Sequence, residues 1–307
     1  MSLQVEAISD PLELGEGPHW DDRQQALFFI DIYQSEIHKY VPATKTHTRT
    51  KLDGRPGFIV PVEGTTDQFV IGLENRFVII QWDGGDGTPA NVVKELGAVD
   101  QNITPRTRIN DGKADPRGRV FAGTIGHHND DGSFDADQCS LYRVDKNGIH
   151  NLCGGITVSN GLSWDLNRKA FYYTDTFEKK IRRYDYDVET GEISNLTYAF
   201  DFDKYNVEGF PDGHTIDADG NLWIAVFNGS CVIKVDPVTG KLLQKVQIPV
   251  SQVTSVTFGG RNLDTLFVTS GRIKNIYTEV PKPPAGTVYM VSGLGVKGTK
   301  GINFKLD

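Results

Sequence analysis

Basic charge is scarce in this chain of 307 residues, where 32 Lys and Arg stand against 40 Asp and Glu for a formal net charge of −8. A nucleic-acid partner needs a cationic surface that displaces phosphate counterions, and no basic stripe occurs, so none is expected. Cysteine is also rare. Cys139, Cys153 and Cys231 are odd in number and lack C-x-x-C spacing, which excludes a disulfide framework or a thiolate zinc site and fits the reduced thiols of a cytoplasmic protein. No apolar run approaches eighteen residues, and MSLQVEAISD has neither a charged n-region nor an apolar h-region, so neither membrane insertion nor secretion is expected. Without a secretory signal, the sequons at Asn102, Asn195 and Asn228 carry no weight. Neither G-x-S-x-G nor H-E-x-x-H is present, which leaves serine-hydrolase and zincin chemistry unsupported.

What the chain does contain is turns and short apolar runs. With 33 Gly, 14 Pro and 38% hydrophobic residues, it favours many brief strands over helix bundles. Four stretches align without gaps: EGPHWD (16–21), NDGKAD (110–115), NGLSWD (160–165) and DGHTID (212–217). Each has a polar head and an Asp five residues later, followed by a turn and an apolar run: ALFFID (26–31), RVFAGT (119–124), AFYYTD (170–175) or NLWIAV (221–226). Weaker copies begin near residues 57 and 254. Six copies imply roughly 50 residues each, the period of a β-propeller blade. The expectation is therefore an all-β, six-bladed propeller of four-stranded antiparallel blades, forming a single domain over 1–307. The N-terminal strand LQVEAI (3–8) is expected to close the ring by completing the last blade.

In a radial fold the first strand of each blade lines the axis, so the four heads Glu16, Asn110, Asn160 and Asp212 should converge. Two carboxylates and two amides offer hard oxygen donors, which suit calcium, magnesium or manganese. Crowded carboxylates without a cation would raise one another's pKa. The second Asp of each repeat is read as a turn former. His19 and His214 sit at different offsets from their heads and are read as packing or supporting residues; Trp20, Trp164 and Ile216 share one offset and are read as core. No EF-hand spacing follows DADGN or NDDGSFDAD. The segment HHNDDGSFDADQ is read as a loop able to overhang the site.

The motifs LGEGPHWD, RINDGKADPRGRVFAGT, SNGLSWD, RYDYDVETG, PDGHTIDADGNLWIA, DPVTGK and GLGVKG resemble, in order and from Glu13 to Gly298, the regucalcin (senescence marker protein) and gluconolactonase family, including its insect luciferin-regenerating branch. The resemblance implies a six-bladed propeller. It also implies metal ligation by Glu16, Asn160 and Asp212, substrate contact by Arg108 and Asn110, and general-base chemistry by Asp212. Where vertebrate regucalcins carry an acidic pair, this chain has His127 and His128. His128 is accordingly a candidate substrate contact, and sugar-lactone preference is open.

The reading is a monomeric, divalent-metal-dependent hydrolase of small lactone esters. Its one cation is calcium first, with magnesium, manganese or zinc as alternatives. Two rival readings are a calcium-binding regulator without catalysis and a luciferin-regenerating type of activity on an aromatic heterocycle.

Overall fold

The computed structural model describes residues 2–103, 107–127, 129, 133–275 and 277–306. The candidate His128 lies outside the described residues. The strands are β1 (Gln4–Ala7), β2 (Gly15–Asp21), β3 (Ala26–Asp31), β4 (Glu36–Val41), β5 (Thr46–Lys51), β6 (Pro56–Pro61), β7 (Gln68–Leu73), β8 (Arg76–Gln81), β9 (Asn91–Ala98), β10 (Arg108–Ala114), β11 (Val120–Ile125) and β12 (Cys139–Asp145). They continue as β13 (Gly148–Ile156), β14 (Ser159–Asp165), β15 (Ala170–Asp175), β16 (Lys180–Tyr186), β17 (Ile193–Asp201), β18 (Phe210–Ile216), β19 (Leu222–Phe227), β20 (Cys231–Asp236), β21 (Lys241–Gln247), β22 (Gln252–Gly259), β23 (Thr265–Gly271) and β24 (Tyr289–Ser292). One turn of 3₁₀ helix, Thr176–Glu178, follows β15. No helix among the described residues is long and apolar enough to cross a membrane.

The architecture is all-β and propeller-like, but the expectation of six separate four-stranded blades is corrected by the strand pairing. Four antiparallel meanders stand alone, β2–β5, β6–β9, β10–β13 and β14–β17, while the remaining strands form one eight-stranded sheet. The physical cause is a backbone bridge between Phe227, at the end of β19, and Gln252, at the start of β22, which joins two meanders into one hydrogen-bonded unit. The N-terminal strand is corrected with it. β1 pairs with β24 and edges the eight-stranded sheet, so it does not complete a separate last blade.

Burial follows strand position. β11 and β15 are buried along their whole lengths, whereas the outermost β9 and β17 are largely exposed. Apolar side chains fill the space between neighbouring sheets. Phe58, Val70 and Phe77 of one meander pack with Ile109, Val120 and Tyr142 of the next, and each large side chain fully buried this way is worth about 1.5–3 kcal/mol. Trp20, Trp164 and Ile216 are all core.

The first strands touch in a closed circuit, β2 to β6, β10, β14, β18, β22 and back to β2. Glycine permits the tightest approaches. A Cβ at Gly161 would lie 2.7 Å from the Asp212 carbonyl oxygen, and one at Gly213 would lie 2.0 Å from Ser255 Oγ.

The second Asp of every repeat does fix a turn. Asp21 accepts from the backbone N–H groups of Arg23 and Gln24, Asp115 from Arg117 and Arg119, Asp165 from Arg168, and Asp217 from Asp219 and Asn221. The C-terminal segment then crosses these turns. Ala218 donates to Lys297, Lys305 to Gly118, and Phe304 to Pro61 through backbone bonds of 2.8–2.9 Å.

Candidate metal and substrate site

Each head sits where its strand departs from regular pairing. Register shifts fall between Glu16 and His19 on β2, Ile109 and Asp111 on β10, Asn160 and Leu162 on β14, and Pro211 and His214 on β18. A β-bulge kinks the strand and re-aims a side chain, here towards the axis. The structure brings Glu16, Arg108, Asn110, Asn160 and Asp212 to the lining of one cavity of about 120 Å³.

The amides are held in place. Asn110 Nδ2 donates to the Ser159 carbonyl at 2.8 Å and to Asn160 Oδ1 at 3.3 Å, and Asn160 Nδ2 donates to Thr176 Oγ1 at 2.8 Å. The carboxyls are less well satisfied. Glu16 Oε2 accepts from the Gly17 backbone at 3.0 Å, while Asp212 Oδ1 is buried with no hydrogen-bond partner among the described residues.

Burial, and then the neighbouring Asp111 charge, push Glu16 up to about 8, against the weaker pull of Gly17 N–H and Arg108. Burial, Glu16 and Asp111 raise Asp212 well above the carboxylate range. Each carboxyl acts on the other's protonation, so the shifts belong to the pair. Asp111 itself rises to about 6, chiefly through burial. Burial pulls Arg108 below its ordinary value; Arg108 Nη1 donates to the Ile109 carbonyl at 3.1 Å.

Among the described residues no three His, Cys, Asp or Glu side chains group to hold a metal. The Glu16, Asn160 and Asp212 set is two carboxylates and an amide, all oxygen donors. Its orphaned Oδ1 and mutually repelling acids are what a hard divalent cation would relieve, so these residues fit one.

Two features were not anticipated. Asp111 is a third buried acid, standing where the other three repeats have Gly17, Gly161 and Gly213; that break in the glycine column was its sequence signal. An aromatic arc, with Phe134–Phe177, Phe177–Phe210 and Phe210–Tyr277 ring centroids 6.0, 5.7 and 5.0 Å apart, also lines the cavity. Its members come from distant loops and strand ends and carried no local signal.

His19 and His214 are buried, and desolvation lowers His19 to about 4 and His214 well below 6.5. Ser163 Oγ lies 2.8 Å from His214 Nδ1, and neither histidine lines the small cavity. His127 lines the wider cavity that adjoins it.

The family model described as SMP-30/Gluconolactonase/LRE-like region matches residues 14–272. The chain belongs to that family. Regucalcin of Danio rerio is 36% identical over 301 residues, covering 97% of each chain, and regucalcin of Homo sapiens is 35% identical with the same coverage. The solved structure of a luciferin-regenerating enzyme superposes with a TM-score of 0.93 at 39% identity, covering 99% of this chain and 100% of the other. Membership associates the chain with gluconolactonase-like proteins.

Proposed function

We propose that this protein is a divalent-cation-dependent lactonase. The observation that carries the reading is the convergence of Glu16, Asn160 and Asp212 on one cavity, with a buried Asp212 oxygen lacking a donor among the described residues. These three residues would hold the cation, and calcium, magnesium or manganese suits their oxygens better than zinc. The cation, when bound, supplies Lewis acidity at the ester carbonyl.

The chain's own residues account for the remainder. Water adds to the carbonyl carbon as Asp212 accepts its proton, the ring C–O bond breaks, and the proton passes to the departing alkoxide to give a hydroxy acid. Asn110 has its N–H groups committed to Ser159 and Asn160, so it presents its oxygen to substrate. Arg108 offers its remaining N–H groups to the ester and to the carboxylate product.

Turnover of γ- and δ-lactones should fall at least 100-fold in chelator, return with added calcium, and remain lost in Asp212→Ala. Undiminished hydrolysis in the variant would remove the mechanism.

The aromatic arc favours a second reading of the substrate, in which the ring to be opened carries an aromatic or heteroaromatic group in place of sugar hydroxyls. The luciferin-regenerating enzyme at 39% identity is consistent with it. A calcium regulator without catalysis is less well supported, because two carboxylates make a weak calcium site.

A further inference from the structure

The small cavity opens into a vestibule of about 720 Å³, and the two share Tyr33, Arg108, Ile125, Phe134 and Ile273. On a chain of net charge −8, this vestibule is cationic. Among the described residues Arg55, Arg108, Arg272 and Lys274 line it, against Glu13 as the single acid.

Two of these cations are already engaged. Arg55 forks onto Glu74, with bonds of 3.1 and 2.8 Å, and exposed Lys274 lies 3.5 Å from Glu279. Arg108 and Arg272 have no carboxylate partner among the described residues. Each is pinned by a single bond to a main-chain carbonyl, Arg108 to Ile109 and Arg272 Nε to Leu12, both at 3.1 Å. That leaves the rest of each fork available. Arg108 is only 7% exposed; Glu16 and Glu74 act on it through space only, so a buried guanidinium with no hydrogen-bonded carboxylate gains from a ligand that supplies one.

We propose that the vestibule binds an anionic substituent on the substrate, a carboxylate or phosphate set apart from the lactone ring, with Arg272 as its principal contact and Arg108 between it and the reacting ester. The inference rests on the lactonase reading of the adjoining site. The planar Arg272 fork matches the two oxygens of either group. A pocket with an excess of one sign of charge concentrates counter-charged ligand against the protein's overall field. The aromatic arc holds the ring, and the arginines fix which end points outward.

The test uses three 5-aryl γ-lactones, phenyl, 4-carboxyphenyl and 4-phosphoryloxyphenyl, together with their non-hydrolysable γ-lactam counterparts. Kinetics on the lactones and calorimetry on the lactams are run on the full-length, calcium-loaded protein. The charged lactams should bind at least tenfold more tightly than the phenyl lactam, and the advantage should shrink in 0.5 M NaCl. Whichever charged probe gains more identifies the anion. In Arg272→Gln the charged-to-neutral ratio should fall to about twofold or less, while Arg272→Lys retains part of it; an unchanged melting temperature shows that both fold. Equal affinity for neutral and charged lactams in the wild type, or a preference that survives Arg272→Gln, overturns the proposal. If charged lactams are preferred while no lactone is opened, the anion site stands and the hydrolase reading fails; turnover of all three lactones with no preference gives the reverse.

Discussion

At the scale of single residues, the strongest tension lies between Asp111 and its neighbours. It stands in a column otherwise filled by glycine, is buried, and its negative charge raises the pKa of both Glu16 and Asp212. A buried acid so placed is costly without a counter-charge, and Lys113, pulled down to about 8 by its own burial, is the nearest compensation. It becomes useful once a cation arrives, since a third negative charge deepens the potential that holds it. Asp111→Asn should therefore have opposite effects on the two forms. In chelator the variant melts higher than wild type, because one source of repulsion is gone. Its calcium affinity weakens by roughly tenfold, equivalent to ~1.4 kcal/mol. Calorimetric titration and chelated melting curves measure both, and calcium affinity unaffected by the change would detach Asp111 from the site.

At the scale of strands, function depends on how closely the first strands approach. The bulges aim the heads inward, and the glycine after each of three heads lets the neighbouring strand come near. Gly161→Ala would place a methyl 2.2 Å from His214 Cδ2 as well as against the Asp212 carbonyl. Overpacking of this kind costs about 1–3 kcal/mol, and the strand it displaces carries Asp212. Lactone turnover should fall more than melting temperature alone explains. Gly154→Ala, on the exposed outer strand and 3.6 Å from its nearest neighbour, Ser140 Oγ, should stay within about 0.5 kcal/mol of wild type. Equal effects from the two changes would refute the argument.

The same strands show what the sequence made legible. A head, an Asp five residues on, and an apolar run recur because each copy builds the same inner hairpin, so the heads and turn acids could be placed by alignment alone. The Phe227–Gln252 bridge could not, since a backbone hydrogen bond between two meanders leaves no mark in side-chain pattern. The aromatic arc was hidden for a related reason: Phe134, Phe177, Phe210 and Tyr277 meet only when distant segments are wrapped around one axis.

At the scale of the whole molecule, buried titratable groups act on stability in opposite senses. His19 at about 4 and His38 at about 3 lie below the ordinary 6.5 because burial disfavours the cation. The unfolded chain takes up those protons first, so stability is lost as pH falls below about 6.5. Glu16 at about 8 lies above its ordinary 4.5, and Asp212 is raised with it. Here the folded protein keeps protons that the unfolded chain releases, so stability is lost as pH rises through that interval. Between about pH 7 and 7.5 the histidines are mostly neutral in both states, Asp111, at about 6, has largely titrated, and Lys113, lowered to about 8 and opposite in sense, is still mostly charged, which leaves the Glu16–Asp212 pair dominant. Melting temperature in chelator should fall across this window, with a slope of at most about 1.4 kcal/mol per pH unit for each group. Excess calcium should remove the decline, because a cation bound to the folded state favours the deprotonated acids and stabilises by mass action. A chelated profile flat from about pH 7 to 7.5, or a decline that calcium leaves intact, would show that the paired acids are not where the cation binds.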